Sequence, residues 1–141
     1  MTPGQIELVS KTWSALKPKA EQVAELFYAR LFQLGPTLRP LFKSDMRAQG
    51  RMLTTVMNMA ISQLDRLDEL RPVLRELGGR HATYGVRDGH YAIVASALLD
   101  TLATGLGPEF TPEIKDAWTE VYRVLASTMQ DGAARSAALA A

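Results

Sequence analysis

The sequence predicts an all-α protein folded as one domain over residues 1–141. Three observations carry that expectation. Apolar residues recur at helical spacing along almost the whole chain, sustained two-residue alternation is missing, and prolines and glycines fall at the edges of the apolar stripes. Ile6, Val9, Trp13 and Leu16 form the first stripe. Thr2-Pro3 opens it, with Gln5 three residues beyond the threonine, which reads as a capping box with proline at the first helical position. Pro18 separates it from the second stripe, Val23, Phe27, Leu31 and Leu34. Pro36 and Pro40 bracket a short helical turn, and a polar segment, 42–48, leads to the third stripe of Leu53, Val56, Met57, Ala60 and Leu64. Pro72 opens the fourth, which runs through Leu70, Val73, Leu74, Leu77, His81 and Tyr84. Tyr91, Val94, Ala95, Leu98, Leu99 and Leu102 make the fifth, stopped by Gly105, Gly107 and Pro108. Thr111-Pro112-Glu113 repeats the cap-then-proline pattern before the sixth, Ile114, Trp118, Val121, Tyr122, Leu125 and Met129. Linkers of a few residues imply that the stripes pack as one body. The Ala-rich tail, 132–141, is expected as a frayed helix extension or as disorder.

Composition narrows the function. At 47% hydrophobic and 22% charged residues the chain is too apolar for a disordered protein. Sixteen Lys and Arg against fifteen Asp and Glu leave a net charge of +1 with no basic run, which argues against nucleic acid as the main partner. Cysteine is absent, which removes disulfides, thiolate metal sites, a thiol nucleophile and the Cys-x-x-Cys-His attachment of a covalent haem. The first residues contain Glu7 and no long apolar core, so no secretory signal is expected there. The longest apolar stretch, 91–99, is broken by Ser96 and falls short of the ~18 residues of a membrane span. The expectation is a soluble, cytoplasmic protein.

Most catalytic chemistry finds no footing. The nine-residue spacing of His81 and His90 is wrong for a metal pair on one helix turn. No Gly-rich phosphate loop and no Gly-x-Ser-x-Gly elbow occur, and the carboxylates scatter over polar faces. Hydrolases, kinases and dinucleotide enzymes therefore lose support. His81 lies four residues after Leu77 and three before Tyr84, so it continues an apolar helix face. A lone histidine there ordinarily serves packing or capping. It can also ligate one metal, and a single protein ligand suffices when a porphyrin supplies the other four.

Residues 26–42 (LFYARLFQLGPTLRPLF), 77–94 (LGGRHATYGVRDGHYAIV) and 116–122 (DAWTEVY) run in the order of three bacterial globin motifs. The first resembles the second helix, short third helix and following corner of those globins. The second resembles the proximal-histidine helix and the start of the next, and the third resembles the last helix. The chain is thus similar to single-domain bacterial globins related to the haem domain of flavohaemoglobins, with some likeness to neuroglobin. The resemblance implies a globin fold, a three-over-three helical sandwich around a haem pocket.

Position by position, it implies that His81 is the proximal iron ligand and that Phe42 packs flat on the haem. It puts Tyr28 on the distal side and Gln49 and Leu53 on the roof helix, where Val56 shares their face. Leu77, Val86, Tyr91 and Val94 are expected on the proximal wall, and Arg51 is the choice for a haem propionate, with Arg80 and Arg87 as rivals. Flavohaemoglobins support the proximal histidine with a Tyr and a Glu. Tyr91 matches the first, but Ala133 stands at the position of the second, which speaks against strongly electron-pushing chemistry. Gln49 in place of a roof histidine implies a five-coordinate ferrous iron. The function so implied is reversible binding of oxygen, and of carbon monoxide and nitric oxide, at haem b (iron protoporphyrin IX). Two alternatives stand beside it: nitric oxide dioxygenation with an external reductase, and a haemless helical module binding a protein or apolar ligand.

Overall fold

Four of the six α-helices start at a side-chain hydrogen bond in the computed structural model, which describes residues 1–43 and 45–140. Helix α1 (Pro3–Leu16) opens with the expected capping box: the Gln5 amide N–H donates to Thr2 Oγ1 at 3.1 Å, and the Thr2 N–H donates to Gln5 Oε1 at 2.9 Å. A 3-10 turn at Lys17–Lys19 holds Pro18 and leads into α2 (Ala20–Leu34). The next 3-10 turn, Pro36–Leu41, contains Pro40 rather than ending at it. Within segment 42–48, Ser44 lies outside the described residues, and Asp45 caps α3 (Met46–Ser62) by accepting from the Ala48 N–H.

Helix α4 (Leu67–Thr83) begins earlier than expected, so Pro72 sits inside it rather than at its start. The proline forgoes one bond, to the carbonyl of Asp68, close enough to the helix start for the ladder to persist. At α5 (Asp88–Leu106) the second histidine finds its role. His90 Nδ1 accepts from the Arg87 N–H at 3.0 Å, and the His90 N–H donates to the Arg87 carbonyl at 3.0 Å. Gly107, at φ +58°, ends α5 in a conformation that glycine adopts without a Cβ penalty. Thr111 Oγ1 then accepts from the Ile114 N–H to cap α6 (Pro112–Ala140). The Ala-rich tail is therefore helix through Ala140, and Ala141 lies outside the described residues.

Six helices match the six stripes, with no strand among the described residues. The main packed pairs are α4 on α6, α2 on α5, α1 on α6 and α2 on α3. One core joins Val9, Trp13 and Leu16 to Leu102, Trp118 and Val121. Its two indoles meet edge to face at 6.4 Å. Trp118 Nε1 donates to Thr12 Oγ1 at 2.8 Å and Trp13 Nε1 to Asn58 Oδ1 at 2.6 Å, so neither buried N–H is orphaned. By length and composition the helical run Asp88–Glu109 is apolar enough to cross a membrane, more than the 91–99 stretch alone indicates. In this fold it packs on α2 and α6: Ala97, Thr101 and Leu102 are buried, and Asp100 pairs with Arg30 of α2 at 2.8 Å.

The tightest joint is between α4 and α6. A methyl group on Gly78 would collide with the Met129 carbonyl, and one on Gly132 with the Arg75 carbonyl. The two glycines bring the helix backbones into direct contact. Leu70 and Leu74, with Met129 against them, fill the space beside that crossing. Gly78→Ala or Gly132→Ala is expected to cost more than about 2 kcal/mol through overpacking. Gly89→Ala, with nothing within 4 Å of its new methyl, should be neutral or stabilising. Urea unfolding midpoints of the three variants check the contrast.

Candidate functional site

The end of α4 sets one wall. His81 is four residues past Leu77, so its ring lies back over the preceding turn, and Nδ1 stands 2.8 Å from the Leu77 carbonyl oxygen. A carbonyl only accepts, so Nδ1 carries the proton and Nε2 keeps a free lone pair. Burial pushes the His81 pKa down, the Leu77 hydrogen bond opposes this, and the Arg80 charge adds to the lowering. The ring is held as neutral imidazole, the form that ligates a metal. Backbone bonds fix the corner after it: the Tyr84 and Val86 N–H groups both donate to the His81 carbonyl, at 3.1 and 3.0 Å.

Tyr91, in the first turns of α5, has a buried hydroxyl with no hydrogen-bond partner among the described residues. Its pKa is raised by burial first and by the Asp88 charge second. The Tyr122 hydroxyl from α6 donates to the Tyr91 carbonyl at 2.8 Å. Burial, with the nearby Tyr91, pushes the Tyr122 phenol well above its ordinary range.

A second group of the expected residues forms an aromatic cluster. Tyr28 is 7% exposed and packs in one group with Phe42, Leu53 and Val94, so four of the expected pocket residues come together. The Tyr28 ring meets Phe42 edge-on at 5.4 Å and stacks on Phe32 at 6.0 Å. Burial raises the Tyr28 pKa and the nearby Gln49 side chain opposes this, so the phenol and the amide are neighbours. Arg39 holds the corner: Nη1 donates to the Phe42 carbonyl at 2.9 Å, and its guanidinium lies 5.5 Å over the Phe32 ring. Phe32, Arg39 and Tyr122 were not singled out as site residues from sequence. The signal for Phe32 was its place four residues after Tyr28.

Helices α3 and α4 meet where Ala60 and Met59 pack with Leu70 and Leu74, whereas Leu53, Val56, Leu77, Val86 and Val94 are only half-buried. They are apolar faces that the protein's own packing leaves partly uncovered. A flat apolar cofactor with one open metal position fits this donor set. One imidazole offers Nε2, aliphatic side chains flank the cleft, and an orphaned buried phenol awaits a polar partner.

Arg51 departs from expectation. Gln49, Leu53 and Val56 share the roof face of α3, and Arg51 lies roughly 200° further round the axis than Gln49 at ~100° per residue. It faces α2, lining a groove with Arg39 and Arg47. Of its rivals, Arg80 pairs with Glu76 at 3.5 Å, whereas Arg87 has no carboxylate partner among the described residues.

An all-helical fold with a half-buried neutral imidazole and an apolar, phenol-bearing cluster has the donor set of a porphyrin-binding protein. The chain belongs to the globin family, whose profile matches residues 25–129, and that family implies a haem cofactor. Its relatives include an anaerobic nitrite reductase of Oryza sativa subsp. indica, 31% identical over 134 residues, covering 90% of this chain and 92% of that one. The flavohemoprotein of Bacillus subtilis is 32% identical over 124 residues, 86% of this chain but 31% of its own length. Among solved structures, an engineered carbene transferase from Rhodothermus marinus, named also as a nitric oxide dioxygenase, superposes with a TM-score of 0.88 at 26% identity, covering 99% of this chain and 97% of that one. A bacterial globin from Campylobacter jejuni gives 0.83 at 24% identity, over 95% and 97% of the two chains, and shows the fold alone.

Tyr122→Phe should lower stability by about 1 kcal/mol, the net worth of one buried hydrogen bond. The far-ultraviolet spectrum should not change, and thermal unfolding against the parent chain checks both.

Proposed function

We propose that this protein binds oxygen reversibly at a non-covalent haem b, with His81 as the iron ligand and Tyr28 and Gln49 as the distal hydrogen-bond donors. The observation that carries the reading is the His81 ring, locked by the Leu77 carbonyl and kept neutral by burial, with Nε2 free. Without cysteine, no thioether bond can attach the cofactor, so His81, shape and apolar contact must hold it. When bound, haem supplies a ferrous iron that takes oxygen, carbon monoxide or nitric oxide. Leu53, Val56 and Phe42 exclude water, which slows oxidation. Leu77, Val86 and Tyr91 line the proximal side, Val94 packs with Tyr28 and Phe42, and Arg87, without a carboxylate partner among the described residues, is the cation for a propionate.

The Tyr28 hydroxyl and the Gln49 amide donate toward the partial negative charge that oxygen acquires, inside a water-poor aromatic cluster. A hydrogen bond to a charged partner contributes about 1.5–3 kcal/mol, hence one to two orders of magnitude in affinity. Carbon monoxide acquires less charge and gains less. Because no histidine stands on the roof face of α3, a five-coordinate ferrous iron follows.

Nitric oxide dioxygenation is a second reading, favoured by the name of the Rhodothermus marinus protein. Its balance, NO + O₂ + e⁻ → NO₃⁻, needs one electron per turnover from an outside reductase. The flavohemoprotein relative extends well beyond the segment matched here.

Three measurements test these readings. Purified protein with hemin should give Soret spectra for the ferric, ferrous, oxygen and carbon monoxide states, and His81→Ala should collapse the Soret band. Tyr28→Phe should speed oxygen release at least about tenfold while changing carbon monoxide release little; an unchanged oxygen off-rate removes Tyr28 from its role. Stopped-flow mixing of the oxygen complex with nitric oxide, then re-reduction by cell extract, separates a single scavenging turnover from catalysis.

A further inference from the structure

The groove between α2 and α3 has a cavity volume of about 610 Å³ and reaches Tyr28 from the side of α3 away from the roof face. Ala24 and Gly50 form its narrow floor: a methyl on Gly50 would stand 3.1 Å from the Ala24 Cβ. Three guanidiniums line it, those of Arg39, Arg47 and Arg51, against two carboxylates, Glu21 and Glu25. The opposing charges neutralise little. Arg47 and Glu21 stand 4.0 Å apart with both side chains 72% exposed, a separation and exposure at which pairing is weak. Arg51 has no carboxylate within 4.0 Å among the described residues, and Arg39 is tied to a carbonyl and a ring rather than to an acid.

We propose that this groove captures small inorganic monoanions and delivers them to the Tyr28 side of the pocket, a separate provision from the one for neutral gases. A guanidinium-lined cleft with low-dielectric walls concentrates anions and raises their association rate. Planar oxyanions suit the fork of donors that a guanidinium presents. Tyr28 is the junction, because the one side chain lines the groove and also packs in the cluster with Phe42 and Leu53. Nitrite as a reactant and nitrate as a product belong to this class. The inference rests on the haem reading above, and its tests are chosen so that the two fail separately.

The first test is stopped-flow binding of azide to the ferric protein beside carbon monoxide binding to the ferrous protein. The double variant Arg47→Gln/Arg51→Gln should slow azide association about threefold to tenfold and leave carbon monoxide association unchanged. Glu21→Gln should speed azide. Arg123→Gln on α6 makes one of the same charge changes far from the groove and should not alter it. The effect should shrink in 0.5 M salt, where the Debye length falls to roughly 4 Å. Equal slowing of azide and carbon monoxide, no slowing of azide, or an Arg123→Gln effect as large as that of the double variant overturns the proposal.

The second test needs no open iron site. Nitrate titrated into the carbon monoxide complex should shift the amide resonances of Ala24, Gly50 and Thr54, and the double variant should abolish those shifts. Shifts spread over the surface, or none, also overturn the proposal. A colourless protein sinks the haem reading instead, and the same nitrate titration on that protein still decides whether the groove takes anions.

Discussion

Direct backbone contact between α4 and α6 governs where His81 stands. Gly78 is three residues before the histidine, on the stretch where α4 touches the backbone of α6, and Gly132 completes the contact from the other side. A helix seated on another backbone has little freedom to roll or slide. The rigidity passes through the Leu77 carbonyl, which holds the imidazole ring, to the corner that the Tyr84 and Val86 amides tie to the His81 carbonyl. A metal ligand on a rigid mount meets its partner without a large ordering cost. The wall carrying Tyr28 is fixed differently, by aromatic packing and by Arg39 braced between a carbonyl and a ring.

His81 and Tyr28 are fixed mainly to different neighbours, and α3 and α4 touch where Ala60 and Met59 meet Leu70 and Leu74. Helix α4 packs chiefly on α6, while α3 packs chiefly on α2 and, through Asn58 and Trp13, on α1. Such a division gives His81 and Tyr28 separate main supports. It also explains why aliphatic side chains in the middle of a folded chain stay half-buried: each leans on its own frame and faces a neighbour held at a distance.

Much of this was legible in the sequence. Period and punctuation gave six helices, the Thr2 and Thr111 caps and the stop at Gly107, because those are local energies that neighbouring residues decide. The motifs of residues 26–42 and 77–94 led to the family. What escaped notice depends on partners distant in the chain. Gly132 looked like part of an inert tail, since nothing local reveals that a helix crosses there. Pro72 looked like a helix start, although Leu67 already lies in the helix, because a proline near the first turn is tolerated as well as at it. Arg51 was placed by proximity to Gln49 in sequence, but two residues of helix turn a side chain to nearly the opposite face. His90 was legible only as half of a failed metal pair; its capping role needs the Arg87 amide in space.

Four of the six methionines, Met46, Met52, Met57 and Met59, lie on α3. Thioether chains bend to fill irregular space, so this helix is upholstered with the most compliant apolar side chain available. They are also the side chains most readily converted to sulfoxides by peroxides, and their positions grade the damage. Met52, 60% exposed, can accept an extra oxygen facing solvent, whereas the same change at Met57 would press a polar group against the tryptophan core and at Met59 against Leu70 and Leu74. Oxidative wear therefore falls first on the residue whose alteration disturbs the least packing.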